Sequence, residues 1–206
     1  MTDFTEDKDS FLTLASSSSG LFKEKNSKFF YFAFPVKNEG EIKEHLDMLR
    51  KKYYDARHHC YAYCLGKDGE IFRANDDGEP NHSAGDPILG QIRSFGLTNV
   101  LIVVVRYFGG TKLGMSGLIQ AYKTSAKLAI EENELVTDFL KSRINVKFPY
   151  SQMNEVMKLI KAENLTIESQ EMTLDAEIIL DFRSGLLEKV TEELNTLEGV
   201  NVTLLE

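Results

Sequence analysis

The sequence predicts an α+β fold in two domains, an α/β domain over residues 1–135 and a smaller one over residues 136–206. Two observations carry this reading. Residues 100–105 (VLIVVV) are a continuous apolar, β-branched run, the pattern of a strand covered on both faces. That run passes through Arg106, Tyr107 and Phe108 into a glycine-rich turn (Gly109, Gly110, Gly114, Gly117) and then a helix. Beyond residue 140, apolar residues recur at strand and helix periods in the order β-α-β-β-α-β, which is the split βαβ plan.

Taken in order, residues 1–10 are polar and are expected to fray. Residues 11–15 and 28–36 read as strands joined by a turn through 16–26; in the second, Phe30, Phe32 and Phe34 alternate with Tyr31 and Ala33. Over residues 41–54, Ile42, His45, Leu46, Leu49 and Tyr53 share one face of an amphipathic helix, which makes His45 a packing residue. Residues 57–65 (RHHCYAYCL) form the next strand, with His58, Cys60, Ala62 and Cys64 on one face and His59, Tyr61 and Tyr63 on the other. A turn leads to a strand at 70–74, and residues 75–85 form a loop. Asp86 and Pro87 then look like the N-cap and first residue of a helix whose apolar face is Ile88, Leu89, Ile92 and Phe95.

After the central strand, residues 116–132 are helical, with Leu118, Tyr122, Ala126, Ala129 and Ile130 along one side. The acidic run EENE at 131–134 sits poorly at a helix C-terminus and is read as the start of an interdomain linker. Ile144, Val146 and Phe148 alternate as a strand, and Met153, Val156, Met157 and Ile160 follow helical spacing. Leu165 and Ile167 suggest a strand, and Leu174, Ala176, Ile178, Leu180 and Phe182 alternate as another. Leu187, Val190, Leu194 and Leu197 mark a helix, and Val200, Val202 and Leu204 a final strand.

Lys and Arg total 24 against 32 Asp and Glu, a net charge of −8, which argues against nonspecific nucleic-acid binding. No apolar run reaches the length of a bilayer span and the N-terminus is too acidic for a signal peptide, so the expected location is the cytoplasm, with no membrane partner. Cys60 and Cys64, on one strand, lie about 13 Å apart at ~3.3 Å per residue. A disulfide needs Cα atoms about 5.5 Å apart, so both are expected as reduced thiols.

Chemistry-bearing residues concentrate between 57 and 117. Backbone N–H groups at Gly109, Gly110 and the helix start, with Lys112 or Arg106, could hold an anion; equally, the glycines could serve only tight turns. There is no GxxxxGK[ST] and no GxGxxG. Asp76, Asp77 and Glu79 could bind magnesium or act as an acid/base pair, but an Asx-turn at Asp77 and a salt bridge from Glu79 to Arg106 or Arg73 is the somewhat stronger reading. The His58-His59-Cys60 run tempts a zinc assignment, yet adjacent histidines on a strand point apart and no finger-like second pair follows. Ser83 beside His82, and Thr111 and Ser116 near the turn, make no nucleophile elbow or recognisable triad order.

The segments HHCYAY (58–63), DDGEP (76–80), AGxPIL (84–89), LTNVLIVVVRYFGGTKLG (97–114) and Ala121-Tyr122 resemble the signature of the YigZ/IMPACT family. The resemblance implies a two-layer, ribosomal-protein-like N-terminal domain and a ferredoxin-like C-terminal domain similar to the last domain of elongation factor G. It implies a protein or translation-machinery partner and a non-enzymatic regulatory role in translation, with Arg106, Tyr107 and Phe108 as recognition anchors. A nucleotide- or phosphate-ligand enzyme using Asp76, Asp77, Glu79, Arg106 and Lys112 is the alternative, and RNA binding, with steeply salt-dependent affinity, is a third. Relatives often carry SGTAG and a basic residue where this chain has residues 81–86 (NHSAGD), and a basic residue at Gln120. Residues 55–123 hold 7 acidic and 7 basic side chains, and residues 137–206 hold 13 acidic and 7 basic, so no strong basic patch supports the RNA reading.

Overall fold

The computed structural model describes residues 9–205. Phe11–Asp138 forms one compact unit; Asp9 and Ser10 join residues 139–205 in the other. The α+β class holds, with eleven strands and five α-helices among the described residues.

The larger unit is built on a five-stranded, wholly antiparallel sheet, order β2-β3-β6-β4-β5. Its strands are β2 (Ser18–Glu24), β3 (Ser27–Pro35), β4 (His58–Leu65), β5 (Ile71–Asn75) and β6 (Val100–Tyr107). β6 is central, and Val100 to Val105 are completely buried, as a two-sided apolar run requires. Helices α2 (Gly85–Ser94) and α3 (Gly114–Glu131) pack Ile88, Ile92, Tyr122, Ala126 and Ala129 onto the face carrying Phe29, Cys60, Ile102 and Val104. On the other face, α1 (Glu39–Lys52) places Ile42, Leu46 and Leu49 against Phe32, Tyr61, Tyr63 and Val103. The two layers expected for this unit therefore gain a third, because α1 closes the face that α2 and α3 leave open.

α1 begins at Asn38, whose side chain accepts the Glu41 N–H at 3.0 Å, while the Glu41 carboxylate accepts the Lys37 N–H at 2.8 Å. The first bond satisfies a donor that the first helical turn leaves free, and the second ties the residue before the cap back to the helix. His45 stacks on Phe34 at 4.0 Å between ring centroids and is a packing residue.

Several expectations change. The turn foreseen at 16–26 contains β2, which pairs with β3 through a tight Lys25-Asn26 turn with φ of 44° and 66°. Its Ser-Ser-Gly start hides the strand, but Gly20 is needed there, since a Cβ would lie 2.3 Å from the Tyr31 hydroxyl. β1 (Ser10–Leu14) pairs not with β3 but with β7 (Leu135–Phe139), which occupies the supposed linker. The acidic helix end is offset by Tyr31, whose hydroxyl donates to Glu132 at 2.6 Å.

The smaller unit contains a four-stranded antiparallel sheet, order β11-β8-β10-β9, from β8 (Lys141–Phe148), β9 (Thr166–Met172), β10 (Ala176–Arg183) and β11 (Asn201–Leu205). Helices α4 (Met153–Ala162) and α5 (Leu187–Asn195) bury Val156, Ile160, Val190 and Leu194 against Ile144, Val146, Ile178 and Leu180. Leu174 leaves the predicted alternation and is 95% exposed in the turn before β10.

Residues 1–8 of the expected frayed tail lie outside the described residues, but Asp9 and Ser10 do not fray. Asp9 is buried, accepts both Nε and Nη2 of Arg183 (2.6–3.0 Å) and takes the Gly185 N–H at 2.7 Å. These donors, the Arg183 hydrogen bonds foremost, hold its carboxyl down to about 2. A depressed carboxylate pKa stabilises above the unfolded value and loses that contribution as pH falls through the folded one. Asp9→Asn is therefore expected to cost about 2 kcal/mol at pH 6 and to flatten the loss of stability that the wild type shows between pH 4 and pH 2. Urea midpoints measured across that range check this; an Asp9→Asn variant with the wild-type midpoint at pH 6 would contradict it.

Candidate functional site

Most of the candidate residues gather at one end of the five-stranded sheet. Register places Arg106 of β6 opposite Phe29 of β3 on one side and His58 of β4 on the other. The loops after β5 and β6 close over this end, and each candidate there has a traceable role.

Arg106 and Glu79 form a buried ion pair, Nη1 to Oε1 2.6 Å, with side chains 7% and 4% exposed. The same Glu79 oxygen accepts the Tyr122 hydroxyl at 2.8 Å, and the Cys60 thiol donates to that hydroxyl at 3.3 Å. Phe29 lies edge-on to Tyr122 at 5.3 Å, and the Arg106 guanidinium carbon is 5.6 Å from each of the Phe29 and Phe108 ring centres. Burial pushes the Tyr122 phenol and the Cys60 thiol well above their ordinary values, so both remain protonated donors. Of the two pairings open to Glu79, Arg106 is the one made.

The neighbouring carboxylates are committed to backbone donors. Asp76 accepts the N–H groups of His82 (2.8 Å), Ala84 (2.9 Å) and Gly85 (2.8 Å). It thus supplies from a distance the cap that Asp86 was expected to give: α2 starts at Gly85 after Ala84, with Asp86 and Pro87 inside its first turn. Asp77 accepts the His59 N–H at 2.7 Å, and its own carbonyl meets His58 Nδ1 at 2.9 Å. The Asx-turn belongs to Asn75, whose side chain takes the Asp77 N–H at 2.8 Å, and not to Asp77. Among the described residues no group of three His, Cys, Asp or Glu side chains gathers to hold a metal ion. His59 is buried, which depresses its pKa, and its Nε2 has no hydrogen-bond partner among the described residues. Ser83 donates to the Pro80 carbonyl at 2.6 Å while His82 turns outward to Asp86 at 2.5 Å, so the two make no nucleophile–base pair.

The two turn glycines act differently. Gly109 lies so close to the β2–β3 turn that a Cβ would sit 2.0 Å from the Asn26 carbonyl carbon and 2.3 Å from the Ser27 nitrogen. Its N–H donates to the Ser27 hydroxyl at 3.2 Å. Gly110 has open space but a φ of 86°. Lys112 is exposed on the loop.

Tyr107 departs from its neighbour. Strand alternation turns it to the α1 face, opposite Arg106, so the two adjacent candidates do not share a site. There Tyr107 and Phe108 line an open cleft of about 350 Å³ with Asn26, Lys28, Phe30, Tyr53 and Asp55. Tyr107 donates to Asp55 Oδ1 at 2.5 Å, and that bond, with partial desolvation, pushes its phenol up to about 12. Phe108 is 56% exposed. Sequence reading missed Lys28, Asp55 and Asn26 as site residues; Tyr53 and Phe30 showed only as apolar-face positions.

A helix-covered antiparallel sheet tied at one end by a buried ion pair, and followed by a split βαβ unit, defines a two-unit class of α+β proteins. The chain belongs to the family of the Impact N-terminal domain, whose model matches residues 25–130. It is 32% identical over 161 residues to the IMPACT family member YvyE of Bacillus subtilis, covering 78% of this chain and 71% of that protein. An IMPACT family member of Thermus thermophilus is 36% identical over 146 residues (70% and 77% of the two chains). YigZ of Escherichia coli is 36% identical over 110 residues (52% and 54%). A crystal structure of a hypothetical protein superposes with a TM-score of 0.74 at 24% identity, over 96% of this chain and 98% of that one, and shares the fold. No helix among the described residues is long and apolar enough to cross a membrane.

Proposed function

We propose that this protein is a non-catalytic recognition module that acts in the cytoplasm on the translation apparatus, through contact with a ribosomal protein or ribosome-associated factor. The observation that carries the reading is Phe108, more than half exposed at an aromatic cleft on the end of the most buried strand of the unit. An exposed aromatic on a rigid base binds at low entropic cost, which is how interface hot spots are built. The groups an enzyme reading would need are otherwise engaged: Glu79 and Arg106 neutralise each other, Asp76 and Asp77 hold backbone N–H groups, and Lys112 stands on an exposed loop. Tyr107 and Phe108 keep the anchoring role; Arg106, on the opposite face from Tyr107, contributes only its guanidinium 5.6 Å from the Phe108 ring centre.

Sedimentation with purified ribosomes tests this. The wild-type chain should pellet with them, and Phe108→Ala should weaken that association about thirtyfold, the loss of a ~2 kcal/mol hot spot. Its melting temperature should stay unchanged, since an exposed side chain contributes little to the fold. A wild-type chain that stays in the supernatant, or a Phe108→Ala variant that pellets equally, overturns the reading.

A further inference from the structure

We propose that the cleft between β3, β6 and the end of α1 receives an arginine side chain of the partner. The proposal rests on the recognition reading above and names the chemistry it uses. Four aromatic side chains line the cleft. Phe30 lies 5.4 Å from Tyr53 at an interplanar angle of 33°, and 5.9 Å from Tyr107 at 81°, so ring faces and edges meet around one space. Phe108 adds an exposed ring.

The single carboxylate in this lining is Asp55. The Tyr107 hydroxyl fixes its Oδ1 and thereby its orientation. Asp55 makes no ion pair among the described residues, and its Oδ2 receives no donor from them. Aromatic faces and an unpaired carboxylate are both electronegative, so the complementary occupant is a cation. A guanidinium fits better than an ammonium: it is planar, weakly hydrated, and can stack on a ring while directing N–H donors to a carboxylate. This chain uses the same pairing elsewhere, with Arg93 4.2 Å above Phe72 and Arg183 4.0 Å above Phe139. Two cations of the chain oppose another one. Lys52 has its Nζ 5.4 Å from the Tyr53 ring centre, which leaves Phe30, Tyr107 and Phe108 as the rings to stack on. Lys28, exposed at the lining, should limit the affinity of the isolated side chain. Its removal should therefore tighten binding, whereas an anion-binding cleft would lose affinity.

The test is an NMR titration of the full chain with a blocked Gly-Arg-Gly peptide and its citrulline counterpart, which keeps the shape and removes the charge. Amide shifts are expected at Asn26, Lys28, Tyr53, Asp55, Tyr107 and Phe108 with the arginine peptide. Binding should weaken about tenfold for citrulline and for Asp55→Asn, and strengthen for Lys28→Ala. Equal shifts from both peptides, no shifts in the cleft, or weaker binding in Lys28→Ala would overturn the proposal. If ribosome sedimentation still depends on Phe108 when the arginine peptide fails, the recognition reading survives and the arginine assignment alone falls.

Discussion

Glu79→Ala is expected to lower the melting temperature of the larger unit by roughly 10 °C, from a loss of ~3–5 kcal/mol when one member of a buried ion pair is removed. The size follows from what is left behind. Arg106 would keep its charge in a site where its side chain is only 7% exposed and its Nε already has no acceptor among the described residues, and the Tyr122 hydroxyl would lose its acceptor as well. Glu79→Gln should cost less, because an amide oxygen can still accept from both. Pairing Glu79→Ala with Arg106→Met should recover part of the loss, since the uncompensated charge goes with the arginine. Calorimetry on the four proteins measures this. A shift of under about 2 °C in Glu79→Ala, within the range of ordinary surface substitutions, would mean that Arg106 can reach solvent, and would return it to the list of binding groups.

Gly109→Ala is the second large effect. Its Cβ would enter the backbone of Asn26 and Ser27, so either the β2–β3 turn or the loop after β6 must move, at a cost of about 3 kcal/mol or more. Gly110→Ala meets no neighbour and should cost only ~1 kcal/mol for the left-handed backbone. Because Gly109 sets the path of the chain next to Phe108, its replacement should also reduce ribosome sedimentation, whereas Gly110→Ala should not. Thermal melts and sedimentation of the two variants side by side decide it. Equal destabilisation would mean that conformational freedom, not space, is what the turn requires.

Much of the fold was legible because periodicity reports which face a residue takes. The VLIVVV run, the split βαβ order and the apolar stripe of α1 all carry that signal. The same rule also separates Arg106 from Tyr107, since a strand sends consecutive side chains to opposite faces; reading them as one anchor set ignored it. β2 was hidden because serine and glycine carry no β signal, and its glycine answers to the Tyr31 ring instead. Asp76 caps a helix beginning nine residues later, and Asp55 meets Tyr107 across 52 positions, so neither has a local cue. The Glu79–Arg106 pair was legible only as one of two options, because charge complementarity names partners without saying which pair the fold brings together.

The Asp9–Arg183 pair has a consequence for biosynthesis. Its members are 174 positions apart, so the aspartate leaves the ribosome long before its partner is made. At elongation rates of about 5–20 residues per second, the interval is on the order of 10–30 s. The larger unit is complete at Asp138, 45 positions before Arg183, so about 2–9 s of that interval remain for it to fold while Asp9 waits in water for the strand that carries its arginine. Joining that early residue to a much later strand means that the smaller unit cannot close before β10 has been made, however fast its other strands pair.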